Sequence, residues 1–444
     1  MKRLIAVILV LALVMGIAAC GGKKDDAPET TTKGTETTTK APDKQDDKGD
    51  DKQEDITLTF QQWFADECPA GLFQEICDGF TAQTGVKIEL YNDPNSETKT
   101  KLLTGAANGT IADIVGTDGK WVCDLVEGGA LTPLDDLFAS ENIDTSVFSD
   151  MWVYKGSTYA MPMVTFCYPL AVNLDILADA GVDPDSIKTR TDFLNACKAI
   201  TDKGYLAYGW NATTSNPAGL DHYFLNSFWT SGGKLRGDDG LFYLTDNQQF
   251  KDTAIFWKEL VDNGYIAPGY LTAIEADITA KFGSGDLAFC NPSISMLSIW
   301  DTDSPNLNYT VIPMPAADDY TGTHYIDYAC WGIGISENCA HKAEAMQFIN
   351  YMFSAEANAK LAQGKGCFPG STVSNPDYSA QSEKFQKAFE IWKSGVPRAE
   401  WNAAIEASTL RTGILENILL YVTGDIDLDT MVANCQQVCD DVYK

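Results

Sequence analysis

Strand and helix patterns alternate along the chain directly after residue 55. The stretch "ITLTFQQWF" at 56–64 places Leu58 and Phe60 at alternate positions, which predicts a first strand that ends at Trp63. A helix in "GLFQEICDGFTAQTG", closed by Gly85, then a strand in "VKIELY", a helix in "SETKTKLLTGAANGT" and a strand in "ADIVGT" follow. Because parallel strands need long crossover connections, this alternation predicts a parallel α/β sheet.

The same kinds of pattern resume after Thr165. Helical spacing of apolar residues occurs in "TRTDFLNACKAITDKG", where Thr189 and Asp192 form a candidate capping box, and in "DNQQFKDTAIFWKELVDNG". Short strands are predicted in "LAYGWN", "GDLAFCNPS", "YTVIPMP" and "ACWGIGIS", and the last 100 residues are mainly helical. No repeat and no second linker occurs, so the sequence predicts two lobes within one continuous globular body.

An apolar run at the start of the chain ends in "LVMGIAACGG". The run follows the cationic start "MKR", and the uncharged segment 4–19 is 16 residues long, shorter than the roughly 20 that span a bilayer. Ala18 and Ala19 supply small side chains before Cys20. This arrangement resembles the lipobox of bacterial lipoproteins, in which the cysteine is the acylated, often palmitate-bearing, first residue of the mature chain. The alternative is an ordinary secretory signal with an incidental cysteine.

The lipobox resemblance implies that 1–19 is a signal peptide and that Cys20 is the lipid attachment site. Two or more acyl chains would anchor the exported protein stably at the outer face of the cell membrane. Residues 21–55 contain no aromatic residue, leucine, isoleucine or valine, and they are rich in Thr, Asp and Lys. Such a segment cannot bury enough apolar surface to offset its ordering entropy, so 20–55 is expected to be a disordered tether.

The charge balance excludes some partners. The chain has 62 acidic residues against 32 Lys plus Arg, a formal net charge of −30. Such a surface repels nucleic acid, so no nucleic-acid partner is expected. Only four arginines follow the apolar run (Arg190, Arg236, Arg398, Arg411). Because phosphate and multiple carboxylates are usually bound by bidentate arginine, a neutral ligand is favoured.

Motifs of catalysis are missing from the sequence. It has no G-x-S-x-G, no H-E-x-x-H, no G-x-x-x-x-G-K-[ST] and only three histidines, which favours a binding protein with no cofactor over an enzyme. A carboxylate pair for glycoside hydrolysis stays an alternative. The segment "DIDLD" at 425–429 lacks the glycine and glutamate of a calcium loop and is interpreted as a helix start.

Eleven cysteines follow Cys20, an odd number without any C-x-x-C spacing. This usage predicts mostly buried free thiols, with Cys68 and Cys77 as the one pair to examine for a disulfide. Cys435 and Cys439 are spaced four apart on a predicted helix. No histidine lies near them in sequence, so core packing is favoured over a metal site, and no metal is expected.

Six stretches carry a family resemblance over nearly all of 56–444. They are "FTAQTGVKIELY", "TKLLTGAANGTIADIVGTDGKWVCDLVEGGALTPLDDL", "YKGSTYAMPMVTFCYPLAVNLDILADAGVDPDSIKTRTDFLNACKAIT", "FGSGDLAFCNPS", "YTVIPMPAADDYTG" and "YIDYACWGIGISENCAHKAEAMQFINYMFSAEANAKLAQGKGCFPG". Because these six stretches occur in the order typical of the family, the chain resembles the family 1 extracellular solute-binding proteins. These are the maltose-binding-protein-like capture components of ABC-type sugar importers. Two departures occur, since "VNLD" stands where relatives have a tyrosine before the asparagine, and "YAC" replaces a glycine pair before Trp331.

The resemblance implies a periplasmic-binding-protein-like α/β fold of two lobes, with hinge crossovers, a ligand cleft and C-terminal helices. The N-terminal lobe is expected over 56–165 plus about 325–365, and the C-terminal lobe over 166–324 plus about 366–444. It also implies a monomer that captures a sugar or oligosaccharide and delivers it to the transmembrane subunits of an ABC permease. A non-sugar solute such as a polyamine is the alternative ligand, because an acidic surface can concentrate cations.

Flat aromatic rings and polar groups at strand ends or in crossovers are the candidate ligand contacts, because a pyranose presents an apolar face and a polar edge. Asp118 follows a strand of the α/β pattern, where ligands collect. Trp63 can equally be a core residue, Phe166 and Tyr168 can be hinge packing, and His222 can be structural. The predicted ligand-binding residues are Trp63, Asp118, Phe166, Tyr168, Trp210, Asn211, His222, Tyr223, Tyr325, Asp327 and Trp331.

Overall fold

The computed structural model describes residues 56–237 and 239–443. The predicted signal peptide, the acylated Cys20 and the tether therefore lie outside the described residues. Within the described ranges, none of the helices combines the length and the apolar character needed to cross a membrane.

Twelve β-strands occur in the described part of the chain. They are β1 (Thr57–Gln62), β2 (Lys87–Asn92), β3 (Ile114–Thr117), β4 (Trp152–Tyr154), β5 (Ser157–Cys167), β6 (Leu170–Asn173), β7 (Leu206–Tyr208), β8 (Leu287–Cys290), β9 (Tyr309–Ile312), β10 (Tyr325–Ile335), β11 (Phe368–Pro369) and β12 (Val396–Arg398).

Fifteen α-helices lie in the same described ranges. They are α1 (Leu72–Thr84), α2 (Asn95–Asn108), α3 (Val122–Glu127), α4 (Asp135–Ser140), α5 (Leu174–Ala180), α6 (Arg190–Asp202), α7 (Asn226–Thr230), α8 (Gln248–Asp262), α9 (Glu275–Gly283), α10 (Ser295–Asp303), α11 (Lys342–Met352), α12 (Ala355–Lys365), α13 (Glu383–Ser394), α14 (Ala407–Val422) and α15 (Leu428–Tyr443). A 3₁₀ turn at Gly119–Trp121 precedes α3, and a π-helical segment at Leu220–Leu225 precedes α7.

The larger sheet has the strand order β11-β5-β10-β3-β1-β2, with β4 paired to β5 and β12 paired to β10. The predicted parallel arrangement is confirmed for β1 with β2 and for β1 with β3. The prediction of parallel strands is wrong for the other central strands of this sheet, because β10 runs antiparallel to both β3 and β5. The chain leaves this sheet along β5 and returns to it along β10, which runs in the opposite direction. The local pattern of strands and helices does not encode these directions.

The smaller sheet has the order β7-β8-β6-β9. Here β7 and β8 are parallel, whereas β6 is antiparallel to both β8 and β9. We call the body built on the larger sheet the first lobe and the body built on the smaller sheet the second lobe. This α/β architecture of two sheets with flanking helices agrees with the predicted fold class.

Two crossings carry the chain between the sheets. The first is short, because β5 ends at Cys167 and β6 begins at Leu170, so only Tyr168 and Pro169 lie between them. The second is the segment 313–324 between β9 and β10. The short strands β11 and β12 pair with the larger sheet although they lie past residue 365. The residue limits predicted for the two lobes stay a prediction.

Local sequence signals explain several element boundaries. Helix α1 buries Phe73, Ile76 and Phe80 on one face, and Gly85 ends it with φ of 80°, as its position predicted. The capping box of Thr189 and Asp192 at the start of α6 is confirmed. The predicted helix start near "DIDLD" is also confirmed, since α15 begins at Leu428.

The eleven described cysteines are all free thiols, and all but Cys68 are buried. This confirms the prediction of mostly buried thiols, and the possible disulfide between Cys68 and Cys77 does not form in this structure. Cys435 and Cys439 both lie in the core of the second lobe, with the Cys435 sulfur 3.6 Å from the sulfur of Met431.

Candidate ligand-binding cleft

A cavity of about 330 Å³ opens between elements of the two sheets. Its first-lobe side is formed by the ends of β1, β3 and β5 and by the middle of β10, and its second-lobe side by the starts of α9 and α10. Five of the eleven predicted residues line it, namely Trp63, Asp118, Phe166, Tyr168 and Trp331. The remaining lining residues are Glu67, Asn95, Glu275, Ser293, Ser295, Ala329, Cys330 and Lys365.

Two tryptophans form the aromatic wall of this cavity. Trp63 and Trp331 are 3 % and 5 % exposed, so most of each indole packs against protein and one part faces the cavity. Both contact Phe64, which stacks on Trp331 with centroids 4.9 Å apart and lies 4.4 Å from the Trp63 ring. Phe166 packs edge-on against Trp331 at 5.1 Å. These neighbours hold the indoles in place before any ligand arrives, which lowers the entropy lost on binding.

Asp118 lies where β3 gives way to the 3₁₀ turn Gly119–Trp121. Its Oδ1 accepts a hydrogen bond from the backbone N–H of Lys120 at 3.0 Å, which orients the carboxylate at the start of the turn. Trp121, the last residue of the turn, lies 5.1 Å from the Trp63 ring. The connection after β3 therefore supplies a carboxylate to the cavity and supports one aromatic wall.

Lys365, at the end of α12, is a lining residue that sequence reasoning missed. Its Nζ donates to the backbone carbonyl of Glu67 at 2.7 Å and lies 5.1 Å from the ring centroid of Trp331. Burial raises the pKa of the Glu67 carboxyl, and the Lys365 ammonium offsets part of that effect. Nothing in the sequence near Lys365 indicates a cleft, because α12 is an alanine-rich helix with an ordinary buried face.

Glu275, Ser293 and Ser295 were missed on the second-lobe side. Ser293 follows β8 in the stretch "CNPS", so the rule that ligands collect beyond strand ends could have found it. Glu275 is the first residue of α9, a position that favours acidic residues whether or not they bind a ligand. Only the packing of α9 on β8 shows that this carboxylate reaches the cavity.

His222 and Asp327 do not line the cavity but lie directly behind Tyr168. The imidazole of His222 stacks on the Tyr168 ring, and its Nδ1 lies 2.6 Å from the Asp327 Oδ2. An ionised carboxylate has no hydrogen to donate, so Nδ1 of His222 carries the hydrogen and donates it to Asp327. Asn226 donates to the Tyr168 carbonyl oxygen at 2.9 Å. These contacts fix the first crossing at the rim of the cavity.

Burial raises the pKa of Tyr168 well above its usual value, and the carboxylates of Glu275, Asp327, Asp118 and Asp221 add to this effect. The phenol therefore stays protonated at neutral pH and can donate a hydrogen bond.

The other four predicted residues lie away from the cavity. Trp210 is fully buried in the second lobe, where it stacks on Tyr270 and donates from Nε1 to the Gly219 carbonyl at 3.0 Å. Tyr223 packs in the same core. Asn211 is 3 % exposed, and its Oδ1 finds no hydrogen-bond partner among the described residues. Tyr325 is covered by the guanidinium of Arg398, 3.5 Å from its centroid.

Comparison with known proteins adds an independent line of support. The model of the bacterial extracellular solute-binding protein family matches residues 54–359. A putative binding protein of Brucella abortus is 26 % identical over 323 residues, covering 71 % of this chain and 76 % of its own. The diacetylchitobiose binding protein DasA of Streptomyces coelicolor is 23 % identical over 423 residues, covering 91 % of each chain.

Among solved structures, the cyclic α-maltosyl-1,6-maltose binding protein of Arthrobacter globiformis superposes with a TM-score of 0.70 at 20 % identity. That match covers 88 % of this chain and 98 % of the other, which shows a shared fold. With more than half of the chain matched by the family model, and a cleft between two α/β lobes, the chain belongs to the bacterial extracellular solute-binding proteins.

Proposed function

We propose that this chain is the substrate-binding component of an ABC-type carbohydrate importer. It captures a sugar or oligosaccharide in the cleft between its lobes and delivers it to the transmembrane permease. The observation that carries this proposal is the cavity walled by Trp63 and Trp331, with the Asp118 carboxylate at its edge. The relationship to DasA, a diacetylchitobiose binding protein, supports the choice of a carbohydrate.

A pyranose ring matches this lining chemically. Its C–H face is flat and apolar, so it can stack on an indole that neighbouring rings already hold in place. Its hydroxyl groups are hydrogen-bond donors, which suit the carboxylates of Asp118, Glu67 and Glu275, while Ser293 and Ser295 can donate or accept. A cavity near the lower end of the usual range for ligand sites favours a short sugar over a long one.

Ligand capture would occur by closure of the two lobes around the sugar. Trp63 and Asp118 belong to the first lobe, whereas Glu275 and Ser293 belong to the second, so a ligand gains all its contacts only when the lobes are together. The ligand thus shifts the population toward the closed form by its difference in affinity for the two forms. The permease would recognise that closed form, and the chain would release its sugar unchanged, acting without catalysis.

The proposed function includes a lipid anchor at the start of the mature chain. Cys20 would carry the lipid and residues 21–55 would tether the domain, as a monomer, to the outer face of the membrane beside its permease.

A panel of ligands tests the proposal by thermal unfolding. The panel contains glucose, maltose, diacetylchitobiose, longer chitin oligosaccharides and spermidine. We expect at least one sugar to raise the midpoint of thermal unfolding, because a ligand that binds only the folded state stabilises it. A rise with spermidine and with none of the sugars would refute the carbohydrate assignment. The sugar that binds should also be recovered intact after prolonged incubation, whereas shortened products would indicate a glycoside hydrolase.

One observation favours a second candidate, a cationic solute such as a polyamine. Three carboxylates line the cavity (Glu67, Asp118, Glu275), against a single lysine, Lys365. Raising the salt concentration from about 0.05 M to about 0.5 M distinguishes the two ligands, since salt screens the attraction of a cation to carboxylates. The affinity for a neutral sugar should change little over this range.

A further inference from the structure

Glu275 differs from the other two carboxylates that line the cavity, because it has no cation beside it. The Glu67 carboxylate lies 4.0 Å from Nζ of Lys365, and the Asp118 carboxylate lies 3.9 Å from Nζ of Lys120. The Glu275 carboxylate has neither an ion pair nor a side-chain hydrogen bond in the described part of the chain. The cavity therefore keeps an unbalanced negative group on its second-lobe side.

The start of α9 does not balance this carboxylate. A helix N-terminus carries a partial positive charge of about half a unit. In α9 that end is already paired with Asp277, whose carboxylate accepts a hydrogen bond from the backbone N–H of Ile274 at 3.0 Å. Glu275 is a further carboxylate on the same turn, and it is the one that lines the cavity.

Tyr168 supplies a second polar group without a partner. Its side chain is 8 % exposed and lines the cavity, and its hydroxyl makes no hydrogen bond to the residues that the structure describes. Burial raises the pKa of this phenol, and Glu275 has the largest effect among the carboxylates that raise it further. Because His222 stacks on the ring, the hydroxyl is held in place close to the charge of Glu275.

A sugar hydroxyl and a sugar ammonium group would meet these atoms differently. Either group can donate a hydrogen bond to the Glu275 carboxylate, but only the ammonium neutralises its charge. The ammonium also has three hydrogens, which Glu275, the Tyr168 oxygen and a serine hydroxyl can share. Ser293 and Ser295 lie on the same side of the cavity, with their Oγ atoms 3.1 Å apart. This side of the cleft therefore offers several acceptors around one unbalanced charge.

We propose that the sugar bound in this cleft carries a protonated amino group, as a hexosamine with a free amine does, and that this group binds at Glu275. The proposal rests on the proposed function, because the apolar face of the same sugar ring is placed against Trp63 and Trp331. A linear polyamine offers the charge but no flat ring for the indoles, whereas a neutral sugar offers the ring without the charge. Glu275 thereby discriminates between an amino sugar and a neutral sugar of the same shape.

Isothermal titration of the chain with matched pairs of sugars tests this assignment. Each pair consists of a glucosamine oligosaccharide, from the monomer to the tetramer, and the cello-oligosaccharide of the same length. The members of a pair differ only in that an amino group replaces one hydroxyl on each ring. At about pH 6 the amine is protonated, and in about 0.05 M NaCl we expect the amino sugar to bind at least about tenfold more tightly than its neutral partner.

Two variants assign the preference to a residue. Glu275→Gln keeps the length of the side chain and removes its charge, so the preference for the amino sugar should fall below about twofold. Glu383→Gln is the matched control, because Glu383 is likewise the first residue of a helix, α13, and does not line the cavity. This control should keep the preference of the wild type. A preference that persists in Glu275→Gln would refute the role of this residue.

The outcomes separate this assignment from the proposed function. A neutral sugar that binds as tightly as its amino partner would overturn the amino sugar and leave a carbohydrate importer standing. If neither member of any pair binds, the amino sugar is refuted, and the thermal unfolding panel decides the carbohydrate assignment on its own. Binding of spermidine in place of every sugar would overturn both.

Should Glu275→Gln fail to fold, the wild type decides by itself. Raising NaCl from about 0.05 M to about 0.5 M must reduce the preference for the amino sugar, because salt screens the attraction of its ammonium group and leaves the neutral sugar unaffected. A preference that does not change with salt would refute the ion pair with Glu275.

Discussion

The imidazole of His222 lies flat on the ring of Tyr168, with centroids 3.5 Å apart and planes within 7° of parallel. The two residues come from different parts of the fold, since Tyr168 is in the first crossing and His222 is in the π-helical segment of the second lobe. Asp327 of β10 accepts the imidazole hydrogen at 2.6 Å and ties this stack to the larger sheet. One buried histidine therefore links the crossing, the second lobe and the sheet that carries the cavity.

Replacing His222 by alanine should destabilise the fold. Asp327 is 1 % exposed, so the substitution leaves a buried carboxylate without its hydrogen-bond donor. We expect a loss of about 3 kcal/mol in the free energy of unfolding, measured by urea denaturation at neutral pH. His341→Ala is the control, because His341 is 41 % exposed and should change stability by less than about 0.5 kcal/mol. Equal effects of the two substitutions would contradict this role for His222.

Replacing Trp331 by alanine should weaken sugar binding by at least about tenfold, because the indole supplies a flat wall of the cavity. Trp331→Phe keeps a ring and should lose less. Isothermal titration with whichever panel sugar binds measures both. Trp300→Phe is the matched control, since Trp300 is also buried, with 3 % exposure against 5 % for Trp331, but does not line this cavity. Unchanged affinity in Trp331→Ala would remove this residue from the proposed site.

Acid should selectively weaken the contribution of Asp221. Its pKa is depressed in the folded state, so its charge stabilises the fold above the unfolded pKa of about 4 and stops doing so as pH falls through the folded pKa. Asp221→Asn should therefore cost about 3 kcal/mol at pH 7, because Arg411 loses its buried partner. The difference from the wild type should shrink when urea unfolding is repeated near pH 3. A difference independent of pH would show that the pair is not the cause.

Cys68 should react slowly with thiol reagents in the native chain although it is the only described cysteine that is partly exposed. Burial raises its pKa from 9.0 to about 12, with a partial offset from Lys365. Its thiolate fraction at pH 8 is then about a thousandfold lower than that of an unperturbed thiol. Alkylation with iodoacetamide followed by mass spectrometry measures the rate before and after unfolding in urea. Rapid native labelling that Cys68→Ser abolishes would show an accessible, activated thiol instead.

Cys20→Ala should release the chain from the membrane without changing sugar affinity, because the proposed lipid site precedes the folded domain by more than thirty residues. Membrane fractionation and titration of the released protein measure the two properties separately. Loss of both would show that anchoring and binding are not independent.

Much of the fold could be predicted because its signals are local. The apolar spacing of α1, the glycine that ends it and the capping box of Thr189 are read from neighbouring residues, and all three are present. The directions of β10 and β5 were not predicted, since antiparallel pairing within one sheet depends on where the chain returns after building the second sheet. Asp118 and Trp63 line the cavity as predicted. Their positions just after predicted strands could be identified from neighbouring residues, as the parallel strands themselves could.

The sequence by itself determined the alternation of strands and helices, the acidic surface and the family to which the chain belongs, because these depend on residue type and short-range spacing. Only the tertiary structure decided which polar groups meet in the cleft. Lys365 and Glu275 stand ninety residues apart yet line one cavity, while Trp210, a predicted ligand contact, is enclosed in the second core. A pattern along the chain specifies which face of an element is apolar, whereas the packing of distant elements decides whether that face meets a ligand or another side chain.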